Sequence, residues 1–178
     1  MSRTKNVLKI VISSSINQVV IVLAGLIMPP LLIANYGSET NGLINSVKQM
    51  LNYFTVVSVG LGAASQVALY KPLTEGNWPL INKIMATLSR FLNKAGLVFL
   101  ACIGVFAFIL PVIRRDNLDF MTIAEIVLIC GIGSLIEFVF LTRYKILLTA
   151  DQKQYIVSNV YTQGTVINTV LSVILIIL

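Results

Sequence analysis

The sequence has no histidine, which excludes imidazole metal sites and histidine-based nucleophilic triads. It is also poor in charge. Asp, Glu, Lys and Arg make up 11% of its 178 residues, against about 25% in soluble domains. So little charge cannot cover a water-facing surface, so a soluble globular enzyme is excluded. The 57% hydrophobic content excludes a disordered chain. Acidic residues are the scarcer kind, 7 against 13 Lys and Arg, for a formal net charge of +6. In a chain with a mean hydropathy of +0.90, that excess points to cytoplasmic loops of a membrane protein rather than to nucleic acid. The two cysteines, Cys102 and Cys130, lie in apolar runs and read as small buried hydrophobes. No Gly-Lys dipeptide occurs, so there is no Walker A loop. Gly60-Leu61-Gly62-Ala63-Ala64-Ser65 lies inside an apolar run without a preceding strand, so it is not a dinucleotide loop. No metal or cofactor is expected.

What is present is long apolar runs. A hydrocarbon core of ~30 Å needs about 20 apolar residues per helix. Residues 10–34, 95–113 and 155–178 carry no charge, 43–70 carries only Lys48, and 120–142 carries only Glu125 and Glu137. The expected fold is all-α, a polytopic membrane helix bundle with about five transmembrane helices at those positions in a single transmembrane domain, 1–178. The first run exceeds the ~7–15 residues of a signal-peptide core, and no A-x-A site follows it. Pro29 and Pro30 free the carbonyls of Gly25 and Leu26, so a kink or the helix end is expected there. Residues 78–94 read as an amphipathic helix on the membrane surface that runs into the third span. Asn77 is its cap, Trp78 and Pro79 its first turn, and Leu80, Ile81, Ile84, Met85, Leu88, Phe91 and Leu92 recur at helical spacing. Gly60, Ala64 and Ala68 form a small-xxx-small row suited to close helix packing.

Loop charge sets the expected orientation. With the N-terminus inside, Arg3, Lys5, Lys9, Lys71, Lys83, Arg90, Lys94, Arg143, Lys145 and Lys153 face the cytoplasm, and only Arg114 and Arg115 face outward. The outer loops are then Asn35–Gly42 and Arg114–Asp119. Their shortness argues against a membrane enzyme with a surface catalytic loop, so no enzymatic activity is expected. The chain ends in Val173-Ile174-Leu175-Ile176-Ile177-Leu178 without a polar tail. The expectation is a fragment of a longer two-half transporter, because transporters are commonly built from paired repeats.

The chemistry of such a protein lies in its intramembrane polar groups, since a charge at mid-bilayer costs about 2.5–3.5 kcal/mol on insertion scales. Asn41, Asn45, Lys48, Gln49, Asn52 and Thr55 make one polar face along the second span. That face lines either a water-filled cavity or a polar helix contact, and Lys48 either faces the cavity or snorkels to the headgroups. Ser13, Ser14, Asn17 and Gln18 cluster on the first span. Ser158, Thr162, Thr165, Thr169 and Ser172 form a hydroxyl stripe on the last, beside Asn159, Gln163 and Asn168, with packing favoured for the hydroxyls. Glu125 lies at a depth where it could pair with Lys48. Glu137, near mid-membrane, is either a carboxylic acid hydrogen-bonded between helices or a functional group for proton or ion coupling.

Three segments carry a resemblance: Tyr36-Gly37-Ser38-Glu39-Thr40-Asn41-Gly42-Leu43 opening the second span, Gly60-Leu61-Gly62-Ala63-Ala64 with Tyr70-Lys71-Pro72-Leu73 closing it, and Leu147-Leu148-Thr149-Ala150-Asp151-Gln152-Lys153-Gln154-Tyr155 before the last span. Their order and spacing resemble the N-terminal part of bacterial polysaccharide repeat-unit flippases, within the multidrug/oligosaccharidyl-lipid/polysaccharide exporter superfamily. The resemblance implies most of one six-helix half of an exporter-type fold. It implies movement of undecaprenyl-diphosphate-linked oligosaccharide repeat units across the bacterial cytoplasmic membrane for surface polysaccharide biosynthesis. It further implies a cavity lined by Lys48, Asn45, Gln49, Asn52 and Asn17. The expected partners are membrane lipid, the lipid-linked oligosaccharide, and a missing C-terminal half or other polysaccharide-assembly proteins. A cation-coupled drug or small-molecule exporter of the same superfamily, a non-transporting membrane component and a membrane enzyme of polysaccharide assembly are the alternatives.

Overall fold

Every regular element among the described residues is helical. The computed structural model describes residues 3–113 and 119–178, so the expected outer loop at 114–119 lies outside the described residues except for Asp119. The elements are α1 (Arg3–Glu75), α2 (Trp78–Ile113), α3 (Phe120–Ile136), a π-helical turn (Glu137–Leu141), α4 (Thr142–Ala150) and α5 (Gln154–Ile177). Four stretches among them are long and apolar enough to cross a membrane: Asn6–Tyr53, Trp78–Ile113, Phe120–Ala150 and Gln154–Ile176. The outward side chains agree with that. Leu97, Phe108, Ile113 and Ile129 are each about 70% exposed, a surface suited to lipid rather than to water. This is the architecture of a multi-pass helical membrane protein.

The two expected spans 10–34 and 43–70 fall on one element. At ~1.5 Å per residue, the 73 residues of α1 would extend about 110 Å, far beyond a ~30 Å hydrocarbon core. The helix breaks once, at Gly37, where φ is 82° and ψ is 163°, a combination open essentially to glycine alone. The helix does not end at Pro29 and Pro30. The proline φ of about −65° is itself helical, so the chain can continue through both rings even though each removes a hydrogen bond and crowds the carbonyl four residues back. Instead of an eight-residue outer loop at 35–42 there is a one-residue break. Side chains satisfy the carbonyls around it. Asn35 Nδ2 donates to Leu31 O (3.0 Å), Thr40 Oγ1 to Tyr36 O (2.8 Å) and Ser46 Oγ to Gly42 O (2.8 Å).

The chain forms two units, residues 1–41 with 148–178, and residues 42–147. In the larger, the C-terminal arm of α1 buries Leu43, Val47, Leu51 and Leu69. Asn77 caps α2, accepting from Leu80 N at 3.2 Å, while Gly76 turns the chain with φ 68°. From there α2 is unbroken to Ile113, so the amphipathic segment and the third span are one helix. Its buried face continues along both, through Ile81, Leu88, Leu92, Gly96, Phe99, Ile103, Ala107 and Pro111.

Close packing in this unit depends on other glycines than the expected row. Gly60 has nothing near its missing Cβ, and Ala64 and Ala68 are exposed. A Cβ on Gly96 would lie 2.5 Å from Val139 Cγ2, and one on Gly131 would lie 2.6 Å from Ile103 Cγ2. Gly131 lets α3 approach α2 closely and Gly96 lets the π turn do so, and Phe99 of α2 meets Phe138 of the π turn edge-on (5.7 Å, 78°). In the smaller unit, the N-terminal arm of α1 pairs with α5. Before α5, Lys153 meets Asp151 at 2.6 Å. That hydrogen bond, then the aspartate charge, holds the Lys153 amine above its usual value.

Candidate functional site

The polar stripe of α1 lies opposite that helix's packed face. Asn45, Lys48, Gln49 and Asn52 are exposed, whereas Leu43, Val47 and Leu51 are at most 3% exposed. The helical period produces this division. Residues 43, 47 and 51 share one line of the helix, and 45, 48, 49 and 52 fall about half a turn away. The neighbours in the unit therefore cover the apolar side and leave the amides and the ammonium outward. Thr55 at the end of the stripe lies outside the described side chains. Lys48 comes within electrostatic range of Cys130 on α3, and no ion pair joins it to Glu125 among the described residues. The suggested Lys48–Glu125 pairing is thus absent.

An outward polar stripe is costly against lipid. The Lys48 ammonium on it needs water or a polar partner, since a charge in hydrocarbon is costly. An ammonium beside carboxamides, with no carboxylate paired to it among the described residues, can take phosphate oxygens as a point charge while amides take hydroxyls.

Glu137 is exposed at the start of the π turn. Its carbonyl accepts from Thr142 N and, at 3.3 Å, from Thr142 Oγ1. Single π turns inside α-helices recur at functional positions. One turn further on, the Arg143 guanidinium lies against two rings, 5.4 Å from the Phe140 centroid and 5.1 Å from that of Tyr144. Its buried Nε has no hydrogen-bond partner. In the sequence Arg143 reads only as a loop charge. Its aromatic neighbours at i−3 and i+1 were the available signal.

Asn17 belongs to the other unit and forms part of a polar seam between the N-terminal arm of α1 and α5. Thr162 Oγ1 lies 3.2 Å from Asn17 Oδ1, its acceptor, and 2.8 Å from Ser158 O. Ser13 Oγ donates to Asn159 Oδ1 (2.6 Å) and lies 3.1 Å from Tyr155 O, and Ser14 and Ser158 meet at 3.3 Å. Ser13 and Ser158 are the buried polar side chains of this unit. Thr165 and Thr169 bond back to their own helix. The hydroxyl stripe of α5 is therefore a packing device, and Asn17 is engaged in it rather than open. Both halves of the seam were legible as clusters in the sequence, but their pairing was not.

Comparison with family models, with curated proteins and with solved structures returned no significant match.

Proposed function

We propose that the chain supplies cavity-lining helices of a flippase. The cargo is an undecaprenyl-diphosphate-linked oligosaccharide repeat unit, carried from the inner to the outer leaflet of the bacterial cytoplasmic membrane for surface polysaccharide assembly. In this reading the N-terminus is cytoplasmic and the chain crosses the membrane five times. One observation carries the reading: a lysine and three carboxamides, Lys48 with Asn45, Gln49 and Asn52, share an outward helix face within a helix long and apolar enough to cross a membrane. Such a face suits a cargo that is anionic at its diphosphate and hydroxylated along its sugars. The segments 36–43, 60–64, 70–73 and 147–155 support the family by resemblance. Glu137, exposed at the π turn, is the candidate for ion coupling. The chain carries cargo without making or breaking covalent bonds, so it is not an enzyme.

Lys48→Gln tests this, because it keeps a polar side chain while removing the charge. In cells that depend on the full-length protein containing this segment, surface polysaccharide should fall at least tenfold with protein level unchanged. Normal polysaccharide at normal protein level would withdraw Lys48 and the diphosphate reading with it.

A further inference from the structure

A cleft of about 350 Å³ opens on the seam of α1 and α5, lined by Lys9, Ile12, Ser13, Ile16, Tyr155 and Asn159. No carboxylate lines it. Lys9 Nζ sits 5.5 Å from the centre of the Tyr155 ring, over its face. Ser13 occupies Asn159 Oδ1 at 2.6 Å, which leaves the amide N–H groups of Asn159 as donors. The polar end of the cleft thus holds an ammonium and amide donors, and Ile12 and Ile16 floor the rest.

Both walls change character at this level. On α1 the charges Arg3, Lys5 and Lys9 give way to the uncharged run 10–34. Ahead of α5, Asp151 and Lys153 give way to the uncharged run 155–178. A boundary shared by two paired helices is where the membrane surface meets the chain. From Lys9 to Ile16 the floor runs about 10 Å, at ~1.5 Å per residue, toward the hydrocarbon.

We propose that this cleft binds an anionic phospholipid. Its phosphate is held by Lys9 and the Asn159 amide beside Tyr155, and one acyl chain lies along Ile12 and Ile16. The apolar floor selects a lipid over free phosphate, and an ammonium in a cleft lined by no carboxylate selects an anionic headgroup over a zwitterionic one.

The test is native mass spectrometry of the purified full chain in mild detergent, titrated with phosphatidylglycerol or phosphatidylcholine. Phosphatidylglycerol should be retained preferentially. Lys9→Gln should weaken it about fivefold, the equivalent of the ~1 kcal/mol that a lysine contributes near an anionic surface. Lys9→Arg should retain binding, and Lys83→Gln, an exposed charge in the other unit, should leave it unchanged. Glycerol 1-phosphate, the soluble headgroup, should not displace the lipid. Equal retention of the two lipids, an unaffected Lys9→Gln variant, or displacement by glycerol 1-phosphate would each overturn the proposal. Because the Lys9 side chain is exposed and outside the hydrogen-bonded seam, an unchanged melting temperature for Lys9→Gln separates lost binding from lost folding.

Discussion

Gly37 and Gly42 stand five residues apart on α1 and should respond to the same substitution with opposite sign. Gly37 holds φ 82° and ψ 163°, where a Cβ is strained by roughly 1–3 kcal/mol. Gly42 is helical with nothing within 4 Å of a built Cβ, and Gly→Ala inside an exposed helix gains up to ~1 kcal/mol. Gly37→Ala should therefore lower the thermal midpoint in detergent by several degrees, while Gly42→Ala should hold or raise it. Equal effects would mean that the break does not depend on glycine. The sequence shows both glycines in one eight-residue segment that reads as a loop. What it hides is that Asn35, Thr40 and Ser46 bond back to carbonyls of their own helix, so helix persists on both sides and a single residue takes the whole deviation.

At the scale of elements, α2 and α3 are held by apolar shape rather than by polar bonds. Gly131 accepts the Ile103 side chain where a Cβ would lie 2.6 Å from it. Gly131→Ala should destabilise by about 1–3 kcal/mol, as overpacking does in a well-filled contact. Adding Ile103→Ala should restore part of the loss, because it removes the atoms that clash. A double variant no better than the single one would show that the two positions do not share this contact. The helical character of α1, α2, α3 and α5 was legible in the sequence, because uninterrupted apolar runs of about 20 residues leave few alternatives, whereas α4 falls on residues that read as the link between two spans. The glycines at the contact were not. Spacing alone favoured Gly60 with Ala64 and Ala68, yet a small-xxx-small row marks only where a helix permits approach. Which row is used depends on the neighbour's side chains, here Ile103 and Val139. The seam of α1 and α5 was half legible for the same reason. Each stripe shows in its own segment, but the match of Ser13 to Asn159 and of Thr162 to Asn17 needs both helices side by side.

For the molecule as a whole, one division of surface is decisive. Most outward side chains are aliphatic or aromatic and suit lipid, whereas one face of α1 presents Asn45, Lys48, Gln49 and Asn52. The stripe itself was legible from the period of the sequence. Its outward position was not, because the same period serves a buried polar helix contact equally well, and only the burial of Leu43, Val47 and Leu51 on the opposite side distinguishes the two. If this face lines a water-filled pathway, its side chains meet water deep within an apolar chain. The most direct measurement is the reactivity of single cysteines with a membrane-impermeant methanethiosulfonate reagent. It is made on the full chain in membranes, in a background of Cys102→Ala and Cys130→Ala. Cysteines replacing Asn45, Gln49 and Asn52 should react readily, while those replacing Leu43 and Val47 on the packed side and Phe108 on the lipid side should not. Stripe positions as unreactive as Phe108 would contradict the account, because the polar face would then be closed to water and could not carry a hydrophilic cargo.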